Sequence, residues 1–328
     1  MEKILITGAS GFVGSWLVAE ALEQGLDVVA GVRETSSRAF LQDERIRFLN
    51  INFSKPESYT KQLKEEQFDY IIHNAGVVRA LKSETFYQVN TGFTKSFLDA
   101  IKPSLPKLKT FGYVSSIAAC GSADDAGIDA LVPEMETNPP THYGKSKLKA
   151  EQAVKESGLP YMIYRPTAVY GPRDQDILKL FKGIKAGVAP LIGTKESTLS
   201  FIYVKDLVRL IIEATISQTK NKTYVVSDGK AYVGNQFHEK VAEVMGKKAI
   251  YPKIPLPVVS VLGLFSEWKS KLSGKADTFN LDKVNELRSR NWCCDITELE
   301  KDFNFAPHST LDDTLRETYQ WYQENEWI

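Results

Sequence analysis

The stretch ILITGASGFVGSWLVAEAL, residues 4–22, decides the fold: an apolar run ends in three glycines, and a helical pattern follows at once. One glycine would be enough for a plain tight turn, because glycine tolerates positive φ. Three glycines between a strand and a helix indicate that a ligand approaches the backbone, and a helix N-terminus suits a phosphate. We expect Gly8 to bend the chain, Gly11 to leave room for a pyrophosphate and Gly14 to let the helix pack closely. The predicted dinucleotide contacts in this turn are Gly8, Ser10, Gly11, Phe12, Val13 and Gly14.

The composition argues against several classes of protein. The 328 residues carry 41 basic and 41 acidic side chains, so this neutral chain gives no reason to expect a nucleic acid as partner. Cys120, Cys293 and Cys294 do not resemble a disulfide framework and the four histidines lie far apart, so we expect a cytoplasmic location and no metal site. The N-terminus lacks the pattern of a signal peptide, and no apolar stretch is long enough for stable membrane insertion.

Short apolar strands alternate with amphipathic helices through the first half of the chain, which is typical of a parallel sheet covered on both faces. The predicted strands are Ile4–Thr7, Val28–Val32, Ile46–Asn50, Tyr70–Asn74, Thr110–Ser115 and Met162–Arg165. The predicted helices between them are Gly14–Glu23, Glu57–Glu65, Tyr87–Ile101 and Tyr143–Ser157. The fold class is therefore α/β, a Rossmann doubly wound parallel sheet with a smaller, mostly helical C-terminal substrate domain.

The pattern loosens after residue 170, which suggests a second domain that is discontinuous in sequence. We predict that residues 1–170 and about 201–228 form the NAD(P)-binding domain. Residues 171–200 and 229–328 would then form the substrate domain. The later elements are expected to be helices Ile177–Ala186, Val204–Ser217 and Thr310–Glu324 and strands Leu199–Tyr203 and Thr223–Ser227, the last strands returning to the cofactor domain.

The end of the second strand indicates which dinucleotide is bound. An acidic residue there would bind the ribose 2′-hydroxyl of NAD, but Val32 occupies the place and Arg33 follows. An arginine can pair with a 2′-phosphate, so Arg33 and Arg38 favour NADP, with ordinary surface charges and NAD as the alternative. Asn52 and Phe53, after the third strand, are expected to border the adenine.

Small residues follow the fourth strand in the sequence HNAGVV, residues 73–78. Ala75, Gly76 and Val77 are predicted to let the backbone approach the pyrophosphate and ribose. His73 is interpreted as a strand residue, because nothing nearby in the sequence positions it as a base.

Catalysis is indicated by THYGKSKLKAEQAV, residues 141–154, where Tyr143 and Lys147 stand four apart and share a helix face. A lysine ammonium favours the phenolate, so Tyr143 can exchange a proton with a carbonyl or alcohol oxygen. Ser116 ends the fifth strand and can hold that oxygen, although it could merely cap a turn. The pattern is not a G-x-S-x-G nucleophile elbow, which disfavours a serine hydrolase.

These motifs, together with VN at 89–90, YRPTAVYGP at 164–172 and FIYVKDL at 201–207, resemble the extended short-chain dehydrogenases/reductases, the NAD(P)-dependent epimerase/dehydratase superfamily. The resemblance implies a catalytic set of Ser116, Tyr143 and Lys147, with Ser115 as the fallback. It also implies nicotinamide contacts from Pro166, Thr167, Ala168 and Val169, and a homodimer formed through two helices of each subunit.

Within that superfamily, the segment VRETSSR and the C-terminal sequence resemble the dihydroflavonol-4-reductase and 3β-hydroxysteroid dehydrogenase-like branch. The expected function is an NADP-dependent oxidoreductase acting on a carbonyl or secondary alcohol of a small, apolar or ring substrate. An NAD-dependent nucleotide-sugar epimerase is the alternative, followed by a non-catalytic NADPH-binding sensor. The apolar segment at 254–272, with Val258, Val259, Val261, Leu262, Leu264, Phe265 and Trp268, is interpreted as a core helix, with a lid or an interfacial contact as alternatives.

Overall fold

A seven-stranded parallel sheet forms the centre of the computed structural model, which describes residues 1–122, 130–133, 135, 137–194, 196–261, 263, 282, 285 and 289–328. Its strands are β1 (Lys3–Thr7), β2 (Asp27–Val32), β3 (Arg47–Asn50), β4 (Tyr70–His73), β5 (Thr110–Val114), β6 (Tyr161–Pro166) and β11 (Lys222–Val226). Their order across the sheet is β11-β6-β5-β4-β1-β2-β3. Because the order reverses direction beside β1, the carboxyl ends of β1 and β4 open a crevice for a ligand.

Helices cover both faces of this sheet. Ile4 and Ile6 of β1 pack toward α1 (Phe12–Glu23) and α7 (Val204–Ile216). Leu5 belongs to the core on the other face. The helices on that face are α2 (Glu57–Glu66), α4 (Thr94–Ser104) and α5 (His142–Glu156). Successive residues of β1 therefore point to opposite faces of the sheet and enter the two cores alternately. The predicted Rossmann fold class is confirmed.

The helix predicted over residues 87–101 is longer and is interrupted. It begins as α3 (Ser83–Phe86), continues as a π-helix (Tyr87–Phe93) and ends as α4. A π-helical insertion adds one residue to the turn of the helix, so the side chains after it point in a different direction. The periodic pattern could not show this insertion, because both forms bury one continuous apolar face.

The outer part of the described chain combines helices with three small sheets. Its helices are α6 (Ile177–Lys185), α8 (Gln236–Val244), Thr297–Phe303 and Leu311–Glu324. Its strands are β7 (Ala168–Tyr170), β8 (Leu191–Ile192), β9 (Thr198–Leu199), β10 (Phe201–Tyr203), β12 (Tyr232–Val233), β13 (Lys253–Ile254) and β14 (Asn291–Trp292).

The single strand predicted at 199–203 is wrong in two respects. The structure has two short strands there, and neither joins the seven-stranded sheet: β10 pairs with β7, whereas β9 lies between β12 and β14. The place beside β6 is taken by β11, which does return to the main sheet as expected. The exact domain boundaries remain a prediction.

The apolar segment at 254–272 is only partly described. Val259 is buried, whereas Val258 and Val261 are 49% and 64% exposed. Leu262, Leu264, Phe265 and Trp268 lie outside the described residues. In the part of the chain that the structure describes, no helix has both the length and the apolar character needed to cross a bilayer.

Candidate active site

The glycine-rich turn joins β1 to α1 at the crevice. Gly8 has φ +66°, and a Cβ there would lie 2.8 Å from the backbone of Ala75. A Cβ on Gly14 would lie 2.0 Å from the carbonyl oxygen of Gly8, so only glycine allows α1 to begin this close to the strand. The bend and the close packing expected of these two glycines are therefore both present.

The N-terminus of α1 is open toward the crevice. Gly11 stands at the N-cap, and within the described residues no side chain caps the first turn. Ser10, Phe12 and Val13 are half-buried around the exposed Gly11. The uncapped N–H groups and the helix dipole together suit a pyrophosphate at this position.

Arg33 and Arg38 flank the end of β2 in different environments. Arg33 is exposed, and its backbone N–H donates to Oγ of Ser36 at 3.2 Å. Arg38 lies with its guanidinium 4.1 Å above the ring of Phe48. Arg33 is thus the arginine that follows β2 directly, at the place where an adenosine ribose would lie.

Asn52 and Phe53 follow β3 and are not equivalent. Asn52 is exposed, and its Oδ1 accepts from the backbone N–H and the hydroxyl of Ser54 at 3.1 and 2.6 Å. Phe53 is half-buried and packs edge-on against the rings of His73 and Phe97. Phe53 therefore packs against the core, whereas Asn52 lies on the surface, and their contact with an adenine stays a prediction.

His73 lies in β4, as the sequence predicted, and is buried. Its Nδ1 shares a hydrogen bond with the hydroxyl of Thr7 at 2.8 Å, and its Nε2 shares one with the hydroxyl of Thr94 at 3.1 Å. Burial lowers the pKa of the imidazole to about 3, with a smaller effect from the charge of Lys147. A neutral ring that joins two threonines is a structural residue.

The loop after β4 is held by Asn90, which sequence reasoning left without a role. The Oδ1 of Asn90 accepts from the N–H of Val77 at 2.8 Å. Its Nδ2 donates to the carbonyl of Val77 and to the hydroxyl of Ser146, both at 3.0 Å. A Cβ on Gly76 would lie 3.8 Å from Nζ of Lys147, so this loop passes directly by α5. The signal in the sequence was a polar asparagine on the buried side of a helix.

Lys147 reaches the end of β5 from α5. Its Nζ donates to the carbonyl of Val114 at 2.6 Å and lies 4.6 Å above the ring of Tyr113. The side chain is buried, and burial lowers its pKa to about 8, against an opposing effect of Glu151. An ammonium group in this site can release and regain a proton near neutral pH.

Tyr143 and Ser116 are carried by two elements in close contact. A Cβ on Gly144 would lie 2.2 Å from the carbonyl oxygen of Ala118, so α5 packs directly on the 3₁₀ turn Ile117–Ala119. Ser116 caps that turn, and its Oγ accepts from the N–H of Ala118 at 3.2 Å. Tyr143 and Ser116 are both half-buried, whereas their neighbours in these two elements are mostly buried. The structure thus brings the predicted set to one edge of the sheet.

Ser115 is engaged elsewhere. Its hydroxyl donates to Oε1 of Glu151 at 2.5 Å, and both residues are buried. Glu151 also accepts from Nε and Nη2 of Arg165 at 3.0 and 2.7 Å. This buried network joins α5 to β6, and Ser115 is part of it.

The segment after β6 borders the same edge. Pro166 ends β6, and Val169 is half-buried in β7. Thr167 is buried, and its Oγ1 has no hydrogen-bond partner within the described residues. An unsatisfied buried hydroxyl suggests a missing partner, and a cofactor amide would supply one.

The residues present fit a nicotinamide dinucleotide. The glycine turn gives a pyrophosphate access to the backbone, and Thr167, which directly follows β6, has an orphaned buried hydroxyl. Cys120 and Cys294 are buried with Leu131 and Trp292 in a small apolar cluster, which agrees with packing roles. Among the described residues, no group of histidine, cysteine or carboxylate side chains could hold a metal ion.

The fold and this edge of the sheet define a dinucleotide-dependent enzyme. Residues 4–227 match the family described as "NAD dependent epimerase/dehydratase family", and the chain belongs to that family. It is an NAD(P)-dependent enzyme of the oxidoreductase type, as the sequence predicted.

Several curated proteins are similar over nearly the whole chain. A ceramide reductase of Caulobacter vibrioides is 25% identical, covering 99% of this chain and 96% of its own length. A sterol-4-alpha-carboxylate 3-dehydrogenase of Candida albicans is 23% identical and covers 99% of both chains. A UDP-glucose 4-epimerase of Vibrio cholerae is 25% identical over 97% of this chain and 95% of its own.

The crystal structure of gox2253 superimposes with a TM-score of 0.81 at 23% identity, covering 99% of both chains. This likeness confirms the fold.

Proposed function

We propose that the chain is an NADPH-dependent reductase, or in reverse an alcohol dehydrogenase, for a carbonyl group in a small apolar or ring substrate. The observation that carries the proposal is the buried Lys147, four residues after Tyr143 on a helix that packs on the Ser116 turn. The names of two relatives, a ceramide reductase and a sterol dehydrogenase, support an apolar substrate.

In this proposal the three side chains divide the acid–base work. A bound nicotinamide supplies or accepts the hydride at the carbonyl carbon. The hydroxyl of Tyr143 donates its proton to the carbonyl oxygen, and the alcohol returns that proton in the reverse direction. Ser116 donates a hydrogen bond to the same oxygen. The ammonium of Lys147 favours the tyrosinate that remains, because opposite charges stabilise each other in a buried site.

Lys147 has a second task in the proposal. One of its N–H donors is used by the carbonyl of Val114. The other two are then available for the ribose hydroxyls of the cofactor. Pro166, Thr167 and Val169 would hold the nicotinamide amide, with the orphaned hydroxyl of Thr167 as the polar contact.

NADP is proposed over NAD because the chain after β2 carries Arg33 and no carboxylate at the ribose position. The test is calorimetric titration of the wild type with NADPH and NADH. Arg33→Ala should lose the preference for NADPH. Arg45→Ala is the matched control, because Arg45 is exposed on the same loop and held by Asp43. If NADH binds tightly, and equally well to the wild type and to Arg33→Ala, the NADP assignment is overturned.

An NAD-dependent nucleotide-sugar epimerase is the second candidate, since a UDP-glucose 4-epimerase is among the relatives. It predicts tight NAD binding and turnover of a nucleotide sugar without net oxidation of cofactor. A screen of ketones, aldehydes and steroids for NADPH oxidation, with Tyr143→Phe as the blank, separates the two. A non-catalytic NADPH sensor would show binding and no turnover in either screen.

Three further assignments belong to the proposal. The chain would act in the cytoplasm, as a homodimer, with a cofactor domain of residues 1–170 plus about 201–228. Light scattering on the purified protein measures the oligomeric state.

A further inference from the structure

Two segments of the outer part lie side by side on the surface. Residues 177–194 comprise α6 and β8, and residues 244–261 run through β13 into a helix that begins at residue 256. The strands β8 and β13 pair in parallel, and Val188 bridges Ile250. These contacts make the two segments one continuous stretch of surface.

This surface is unusually apolar. Within the described residues, nine large apolar side chains are exposed, and four of them lie here. Ile250 is 66% exposed and its bridge partner Val188 is 41% exposed. Val261 and Val258, at 64% and 49%, stand three apart in the helix and so share one face. Apolar patches of this kind mark surfaces that bind a partner.

The same two segments carry only positive charge. Residues 177–194 and 244–261 contain no aspartate or glutamate, although the whole chain has 41 acidic and 41 basic side chains. Besides Lys179, which pairs with Asp176, five exposed lysines lie in the two segments, namely Lys182, Lys185, Lys247, Lys248 and Lys253. Three carboxylates stand within two residues of these segments: Asp176, which pairs with Lys179 at 3.1 Å, Glu243, which pairs with Lys240 at 3.0 Å, and Glu196. The two segments contain six lysines, so a local excess of positive charge remains beside these three carboxylates.

We propose that this lysine-flanked surface, formed by Val188, Ile250, Val258 and Val261 with the five lysines, docks the chain on an anionic lipid bilayer. The apolar side chains would enter the headgroup layer while the ammonium groups meet lipid phosphates. The contact is peripheral, which agrees with the lack of a spanning helix in the described chain. The inference goes beyond the proposed reaction and does not rest on it, because vesicle binding needs neither cofactor nor turnover.

A described residue further along the chain, Asp282, contacts the start of α5. Its carboxylate accepts from the N–H of His142 at 2.7 Å and from the N–H of Tyr143 at 3.2 Å. A carboxylate at a helix N-terminus is stabilised by the helix dipole.

The test is flotation of the purified full chain with vesicles of phosphatidylcholine containing one-third phosphatidylglycerol, and with phosphatidylcholine alone. The wild type should float with the anionic vesicles and lose binding as salt rises. The triple variant Lys247→Glu/Lys248→Glu/Lys253→Glu should bind at least about tenfold more weakly. The double variant Ile250→Ser/Val261→Ser should also bind more weakly at constant charge.

Two matched controls separate this surface from general charge and hydrophobicity. Lys55→Glu/Lys61→Glu/Lys64→Glu changes three exposed lysines on and beside α2. Val233→Ser removes an exposed valine outside the two segments. Both should float like the wild type, and circular dichroism verifies that every variant is folded. Absence of flotation by the wild type, or equal losses in test and control variants, would overturn the proposal. Loss with the glutamate variant alone would overturn the insertion of apolar side chains and favour an acidic macromolecule as partner.

Discussion

Two buried cations, Lys147 on α5 and Arg165 on the neighbouring strand β6, have different partners. Arg165 in β6 is 2% exposed and forms a bidentate ion pair with Glu151 of α5. Lys147, one turn earlier on α5, is 5% exposed and is bonded to the neutral carbonyl of Val114. Arg165 therefore has a full counter-charge, whereas Lys147 has no ion pair with a carboxylate among the residues that the structure describes.

This difference separates a structural charge from a reactive one. The ion pair raises the pKa of Arg165 despite the opposing effect of burial, so the guanidinium stays charged. Burial lowers the pKa of Lys147 to about 8, where the ammonium can lose its proton. The first cation ties α5 to the sheet, whereas the second is suited to the proton transfer of the proposed reaction.

The largest expected effect is on activity. Lys147→Met should lower turnover by about 10²–10⁴-fold, because Tyr143 then lacks the charge that favours its phenolate. The measurement is the rate of NADPH oxidation with a carbonyl substrate identified in the screen. Lys145→Met, which changes an exposed lysine on the same helix, should keep its activity. Equal activity of the two variants would contradict the assignment of Lys147.

Breaking the paired cation should reduce stability. Glu151→Gln leaves the guanidinium of Arg165 buried without its counter-charge, which costs about 3–5 kcal/mol in the free energy of unfolding. Urea denaturation measures this loss. Glu156→Gln, at an exposed position on the same helix, should change stability by less than about 0.5 kcal/mol. A small loss for both variants would show that Glu151 is not the required counter-charge.

The lowered pKa of Lys147 should make the free energy of unfolding depend on pH. The pKa of Lys147 is lower in the folded chain than its ordinary value of 10.5, so the folded state binds fewer protons between about pH 8 and 10.5. Stability relative to Lys147→Met should therefore rise with pH through this window, by about 3 kcal/mol at 1.36 kcal/mol per pKa unit. Parallel stability curves for the two proteins would show that Lys147 is not desolvated in solution.

The smallest effects should separate the two serines. Ser115→Ala removes a donor from Glu151 and should cost about 1 kcal/mol of stability with little change in turnover. Ser116→Ala should lower turnover while stability changes by about 1 kcal/mol or less, since only a cap of a short turn is lost. The same kinetic and urea assays measure both, and the reverse pattern would make Ser115 the catalytic serine.

The fold could be predicted because its signals are local. The apolar run of β1 and the glycines of the following turn specify strand, bend and helix within about twenty residues. The places of Ser116, Tyr143 and Lys147 at one sheet edge follow from the parallel topology. The assignment of Arg33 to a ribose phosphate stays a prediction.

Contacts between side chains on different helices and strands could not be predicted from the sequence. Glu151 and Arg165 meet only because α5 and β6 pack together, although Glu151 stands four residues after Lys147 and continues the spacing of Tyr143 and Lys147. The clamp of Asn90 on Val77 depends on a π-helix that has no periodic signature. The small sheets consist of strands of two or three residues, which are too short to show an alternating pattern in the sequence.

The π-helix Tyr87–Phe93 also makes the length of this segment a constraint in its own right. Each residue of an α-helix turns the chain by about 100°. Deleting one residue here would return the segment to α-helical geometry and rotate Asn90 away from the loop after β4. Family members aligned at this point should therefore keep their residue count even where their side chains differ. Protein engineers who graft this helical segment should transfer residues 83–104 as one piece.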